Sequence, residues 1–262
     1  MDYLPIFLDA TRQELQRSVG GILVDEPGRL QVTQPEAKVV WRNMVHHAVL
    51  DEADAEAEIE RVLAHYAAHD VPFLWRVTPA CRPHDLAARL EAHGLAHFET
   101  LGCLVADPTD FDPPTRADLR IESVTEENAD LYIETMGEAW QMPSPGRARF
   151  RALLTQALAE RRETEYACIA FLDGVARGTA QMSYVPHSVH FTGSAVHKEA
   201  RGRGIYRELI LHRMARLRAQ GHGLVTVHAV SSTSAPICKR MGFREVFTMD
   251  SWCHPPEEAD RA

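Results

Sequence analysis

No apolar run in the 262 residues approaches the roughly 18 that a membrane-crossing helix needs, so a helical membrane span is excluded. The opening Met1-Asp2-Tyr3-Leu4-Pro5 lacks the basic, then apolar, then small-residue order of a secretory leader. A basic excess is missing too. Lys and Arg number 28 against 37 Asp and Glu, a net charge of −9 with His neutral. That argues against sequence-independent binding to nucleic acid, which needs a basic face, and leaves room for cationic or small polar substrates. Cysteine is scarce. Cys81, Cys103, Cys168, Cys238 and Cys253 are odd in number, widely spaced and without a C-x-x-C pair. They fit neither a disulfide frame nor a zinc site, and the expectation is reduced thiols in the cytoplasm. Adjacent His46 and His47 form no metal-ligand grouping with them, so no metal is expected.

What is present is enough for a packed core: 45% of residues are apolar and 25% charged. The length suits one large domain or two ordinary ones. A Pro- and Asp-rich stretch at 107–115 carries three prolines in seven residues, which neither a helix interior nor a central strand accepts. It divides the chain into a domain over 1–107, a linker at 108–116, a domain over 117–254 and a polar tail at 255–262. In the second domain the patterns predict a strand at 119–124 and helices at 126–140 and 147–160. A strand at 166–172 turns at Asp173-Gly174 into 175–185, followed by a strand at 188–196. Then come a helix at 205–220, a strand at 224–230, a short helix from Ser234 to Met241 and a strand at 244–252. The long helix sets Leu209, Ile210, Met214 and Leu217 on one face and arginines on the other.

The sharpest local feature is Ala195-Val196-His197-Lys198-Glu199-Ala200-Arg201-Gly202-Arg203-Gly204-Ile205-Tyr206. A strand ends, a loop with two glycines and two arginines follows, and a long helix begins. Glycines let backbone N–H groups converge while the helix N-terminus adds partial positive charge, a combination suited to a pyrophosphate. It is not G-x-x-x-x-G-K-[ST], and Gly202-Arg203-Gly204 lacks the third glycine of a dinucleotide fingerprint.

With Ser234-Ala235-Pro236-Ile237-Cys238-Lys239-Arg240-Met241-Gly242-Phe243 downstream, the order of elements over 119–252 resembles the GNAT superfamily of acyl-CoA-dependent N-acetyltransferases. Its Q/R-x-x-G-x-G/A loop is met at Arg201 and Gly204 and departs at Tyr206, whose backbone N–H still serves and whose bulk points away from the phosphates. The resemblance implies an α/β (α+β) fold of mixed, mostly antiparallel sheet with splayed central strands flanked by helices. It implies acetyl-CoA between the strands at 188–196 and 224–230, its pyrophosphate on N–H groups from Arg201, Gly202, Arg203, Gly204, Ile205 and Tyr206. The pantetheine would pair with the backbone near Ala195 and Val196, where one N–H polarises the thioester carbonyl.

A lysine-like amine of pKa ~10.4 is about 3.4 units above pH 7, roughly 4.6 kcal/mol of unfavourable deprotonation, so a general base is useful. The family often carries a Glu six residues before the aliphatic residue that closes the strand; here that residue is His190, and neutral imidazole is a competent base. His228 and Tyr184 are rivals. On an unbroken strand His190 shares a face with Thr192, Ser194 and Val196, roughly 20 Å from the last of these, so a relayed water or a deep-reaching acceptor is required. The family's tyrosine proton donor is replaced by Cys238, either a weak acid or a small core residue.

The first half reads as a worn copy. Ala48-Val49, a helix at 53–68, a strand at 72–77, His93-Gly94-Leu95 and a strand at 97–105 repeat the order of the second half. In place of the glycine loop stands Asp51-Glu52-Ala53-Asp54-Ala55-Glu56, which suits a helix N-terminus and repels a pyrophosphate. The resemblance thus implies a degenerate GNAT-like domain that serves as a structural or substrate wall, beside an active one that acetylates a small-molecule or peptide amine by direct attack on the thioester. Trp140 and residues 141–146 stand where the family lines its acceptor site. The alternative is a non-catalytic acyl-CoA-binding or interaction protein. Neither nucleic acid nor membrane is expected as a partner.

Overall fold

The computed structural model describes residues 2–16, 21–36, 38–142, 144–159 and 164–254, so the proposed polar tail at 255–262 lies outside the described residues. The chain divides into two compact units, one of Met1–Cys103 with Ala229–Pro236 and Glu245–Ala262, the other of Leu104–His228 with Ile237–Arg244. They are not the contiguous halves 1–107 and 117–254, because the last strand belongs with the first unit.

The first unit holds α1 (Leu4–Gln16), β1 (Ile22–Glu26), β2 (Arg29–Thr33), β3 (Met44–Ala48), α2 (Ala55–Ala68), β4 (Leu74–Val77), α3 (Leu86–Ala92) and most of β5 (Ala96–Ala106). The elements before β3 carry too little periodicity to be read from sequence. Strand order is β1-β2-β3-β4, then the C-terminal β11 (Arg244–Cys253), then β5. β11 runs antiparallel to β4, with Asp250 opposite Val77 and Trp252 opposite Trp75. The cause is apolar burial: Trp252 sits in the core formed by Ile59, Val62 and Tyr66 of α2, Trp75 of β4 and Leu86 and Leu90 of α3.

The second unit holds β6 (Leu119–Ser123), α4 (Ala129–Ala139), α5 (Ser144–Ala159), β7 (Glu165–Leu172), β8 (Val175–Val185), β9 (Ser188–Val196) and α6 (Ile205–Ala219). With them go most of β10 (Val225–Val230) and of α7 (Ser234–Arg240). Strand order is β10-β9-β8-β7-β6. β6 to β9 are antiparallel and only β9 and β10 are parallel. The hairpin turn takes positive φ at both Asp173 and Gly174, the type I′ geometry that matches strand twist. Tyr132, Ile133 and Met136 of α4 pack on Ile169 and Phe171, on one sheet face. α6 covers the other: Tyr166 bonds His212, and Phe191 lies under Arg213. No described helix is long and apolar enough to cross a membrane.

Arg213 departs from the expected pattern, in which the arginines of α6 line its outer face. It is 1% exposed. Its Nε donates to Leu209 O at 3.1 Å, Nη1 to Gln181 O at 2.9 Å and Nη2 to Ser194 Oγ at 3.0 Å, with the guanidinium 3.9 Å above the Phe191 ring centroid. Burial draws its pKa below the ordinary guanidinium value. Arg213→Met keeps most of the volume but removes the donors to the half-buried Gln181 carbonyl and Ser194 hydroxyl. We expect a loss of about 1–3 kcal/mol, measured as a lower denaturant midpoint at unchanged slope.

Candidate active site

Three residues of parallel ladder set the geometry. β9 and β10 pair at Val189/Val225, His190/Thr226 and Phe191/Val227, and there the register ends while β9 runs on to Val196. The strands part beyond Phe191. On its other side β9 stays on β8, but with a bulge: Thr192 faces Gln181 and Ala195 faces Thr179, so Gly193 (φ +60°) and Ser194 together oppose Ala180. The extra residue flips the alternation. His190, Thr192 and Ala195 share one face, and Val196 joins Phe191 on the α6 side, not His190 as an unbroken strand requires. A glycine inside a strand pattern is the sequence signal that points to such a bulge.

The loop after β9 makes a 3-10 turn at Lys198–Ala200 and enters α6 through Gly202 (φ +75°) and Gly204 (φ +77°). Only a residue without Cβ takes both turns freely. Glu208 N–H makes the first helical bond, to Gly204 O at 3.1 Å, so the N–H groups of Ile205, Tyr206 and Arg207 precede the ladder, as at any helix start. Arg201 and Arg203 are exposed. Arg201 Nε donates to Val196 O at 3.3 Å, and Arg203 pairs with Asp173 at 3.1 Å. Arg116, which nothing in the sequence marked, donates to the Arg203 carbonyl and holds the loop from outside. The first turn of α6 also sits hard on β8: a Cβ at Gly178 would meet Ile205 Cγ2 at 2.9 Å and Ala195 O at 3.1 Å.

His190 is buried, with Nδ1 2.8 Å from Thr226 Oγ1 and its ring centroid 4.9 Å from that of half-buried His228. It lies in a row of directly opposed residues, Glu165, Ser183, His190 and Thr226, one from each of four strands and all on one face. Tyr184 is on the other face, donating to Gln220 Oε1 at 3.0 Å. Ala195 and Ile205 are buried and Val196 half-buried. Cys238 is fully buried, and its Sγ meets the Tyr206 hydroxyl at 3.5 Å. Burial raises both pKa values. Thus the bulk of Tyr206 is turned toward α7. Trp140 is 45% exposed at the end of α4, where His197 Nε2 reaches Thr135 O at 3.0 Å; Pro143 of the neighbouring loop lies outside the described residues. Among the described residues no group of three or more His, Cys, Asp or Glu is placed to hold a metal.

In the first unit β3 and β4 likewise pair in parallel for two positions, Met44/Leu74 and Val45/Trp75. There the chain then closes the gap itself. Arg82 N–H donates to Ala48 O and Arg82 O accepts from Leu50 N–H, both at 3.0 Å, so residue 82 bridges the strand edge that corresponds to Ala195 and Val196. Before α2 there is no glycine loop, and Asp51 Oδ1 accepts the Ala53 N–H at 3.0 Å. The expected acidic turn is therefore capped by its own carboxylate.

Gly178→Ala tests the seating of α6. Overpacking against Ile205 and the Ala195 carbonyl is expected to cost about 1–3 kcal/mol, read as a lower Tm.

Residues 125–243 match the model of the acetyltransferase (GNAT) family. No curated protein matches the sequence. Among solved structures, a GCN5-related N-acetyltransferase from Kribbella flavida is 17% identical, covers 99% of both chains and superposes with a TM-score of 0.73. One from Sphaerobacter thermophilus is 16% identical over 92% of this chain and 84% of its own, with a TM-score of 0.64. A tandem GNAT protein from the clavulanic acid biosynthesis pathway is 17% identical over 88% of this chain and 79% of its own, at 0.56. At such identities the likeness is one of fold, and it extends over both units. Through residues 125–243 the chain is similar to the GNAT acetyltransferase family.

Proposed function

We propose that the second unit is a cytoplasmic N-acetyltransferase that moves an acetyl group from acetyl-CoA to the nitrogen of a small-molecule or peptide amine. The observation that carries this reading is the coincidence of two features: a glycine loop at the start of α6, and a parallel pair that ends one residue past His190. The backbone N–H groups from Gly202 to Tyr206 would hold the pyrophosphate, helped by the helix N-terminus; that of Arg201, expected among them, donates to the Lys198 carbonyl at 3.3 Å. The unpaired edge of β9 from Ala195 back to Thr192 would pair with the pantetheine arm. Acetyl-CoA supplies the activated thioester when bound.

The end of the β9–β10 ladder at Phe191 supports an acyl site closer to His190 than Val196 is. The first backbone beyond the last pair is Thr192-Gly193, two to three residues from His190, so the base need not act over the whole strand. His190 accepts the proton from the acceptor nitrogen as that nitrogen attacks the acyl carbon. The C–S bond breaks, and the thiolate leaves with little need of an acid, its basicity being close to that of an ordinary thiol. Cys238 and Tyr206 stay protonated at neutral pH because burial raises both.

One CoA per chain is expected by titration calorimetry, because Arg82 and Asp51 occupy the corresponding backbone in the first unit. Two equivalent sites would overturn this assignment. Gly204→Asp sets a carboxylate against the pyrophosphate at a position where Asp tolerates positive φ. It should abolish the acetyl-CoA-induced rise in Tm while the fold persists; unchanged affinity would remove the loop from the site.

An imidazole base must be neutral, so activity is full at higher pH and lost as pH falls through its titration. His190→Ala should lower kcat/KM for a basic amine by ~10² and remove that acidic limb, with acetyl-CoA affinity unchanged. A retained wild-type profile would place the base elsewhere. A second reading, acyl-CoA binding without transfer, is favoured by Tyr206 standing where the family keeps Gly or Ala. Release of free CoA in the presence of an amine library decides against it.

A further inference from the structure

We propose that Thr226 is a positioning residue that fixes the tautomer of His190, so that Nε2 is the nitrogen that takes the proton. This rests on the reading of His190 as the base, but it is argued from a separate contact. The two side chains meet across the closed end of the β9–β10 pair, Nδ1 to Oγ1 at 2.8 Å, and both are buried. A neutral imidazole carries one N–H and one lone pair, and its partner decides which nitrogen holds which. If the threonine hydroxyl donated to Nδ1, the proton would sit on Nε2 and that nitrogen would be no base. If Nδ1–H donates to Oγ1, the lone pair is on Nε2.

An acceptor for the hydroxyl hydrogen of Thr226 favours the second arrangement, and Ser188 is placed to be that acceptor. Ser188 Oγ, also buried, is 3.5 Å from Thr226 Oγ1, one turn of the pleat before His190 on the same face. Either oxygen of the Thr226–Ser188 pair can donate, and the proposed direction is His190 Nδ1–H to Thr226 Oγ1 and Thr226 Oγ1–H to Ser188 Oγ. Backbone register holds it: Thr226 lies directly opposite His190, and Val189 N–H donates to Leu224 O at 2.9 Å one step earlier. Valine has the shape of threonine without the oxygen, and serine has the oxygen without the methyl. The two substitutions separate packing from the hydrogen bond.

The acceptor oxygen also stabilises the imidazolium, which keeps its Nδ1–H. Removing it should lower the pH at which His190 charges. His228 from β10 lies against the His190 ring, and Glu165 stands in the same row two strands away on β7. α4, packed over that face, brings Tyr132 into the core and Glu138 beside His197. None of these is altered by a change at position 226.

The test combines nitrogen NMR of histidine-labelled full-length protein with pH–rate profiles. In the wild type the His190 signal, identified by its absence from His190→Gln, should report the Nδ1–H tautomer; in Thr226→Val it should move toward Nε2–H. Thr226→Val should lower kcat/KM for a basic amine about tenfold and move the acidic limb to lower pH, and Thr226→Ser should restore both. Equilibrium unfolding checks that both variants are folded. A wild-type Nε2–H tautomer, or a Thr226→Val spectrum and profile that superpose on the wild type, would overturn the proposal. If His190→Ala leaves the rate profile untouched, the assignment of the base fails instead, while the tautomer measurement still decides the role of Thr226.

Discussion

A buried guanidinium determines where α6 can lie, and the position of α6 determines everything the loop can do. Arg213 reaches through its own helix to the carbonyl of Gln181 on β8 and the hydroxyl of Ser194 on β9, while its plane rests on Phe191. Ser194 is one of the two residues in the β9 bulge. A single side chain thus ties the helix to the irregularity that redirects the strand. Among the described residues no carboxylate bonds Arg213, so neutral oxygens and a ring face carry its desolvation, an arrangement that depends on exact seating of the donors. Gly178 permits that seating by offering no Cβ to Ile205 and Leu209.

Comparison of the two units shows how one architecture can hold an open strand edge or a closed one. Both begin with a short parallel pair, and both lead from the inner strand into a helix. In the second, the edge beyond the pair has no strand from β10 on it and the helix starts from two left-handed glycines. In the first, Arg82 returns to the edge, and an aspartate carboxylate sits on the turn before the helix. Backbone N–H and C=O groups demand partners wherever they are buried. The first unit supplies those partners from its own chain.

The five cysteines illustrate how environment separates identical side chains. All are free and buried. Burial raises Cys103 to about 12 and Cys168 to about 11, and raises Cys238 and Cys253 as well. Cys81 alone is lowered, although its burial pushes the other way: contacts with His47 and with the side chain and N–H of Thr78 outweigh desolvation.

Local chemistry was readable in the sequence where a residue type admits few conformations. Gly202 and Gly204 marked a tight loop with converging N–H groups, Asp173-Gly174 a hairpin turn, and the spacing of Leu209, Ile210, Met214 and Leu217 a helix face, because these signals depend on residues close in the chain. The strands and helices from β6 to β11 followed from the same periodicities. What the tertiary structure decided are relations between distant residues. Strand periodicity places β11 correctly but cannot say that its partner is β4, since pairing is set by the apolar surface each edge offers. Period two puts His190 and Val196 on one face, and the bulge opposite Ala180 parts them. The arginine of a helix reads as solvent-facing until a strand carbonyl and a serine hydroxyl are found within its reach. Thr226, an ordinary β-branched strand residue by composition, meets His190 only because a parallel ladder, joined through a long crossover, brings residues 36 positions apart to 2.8 Å.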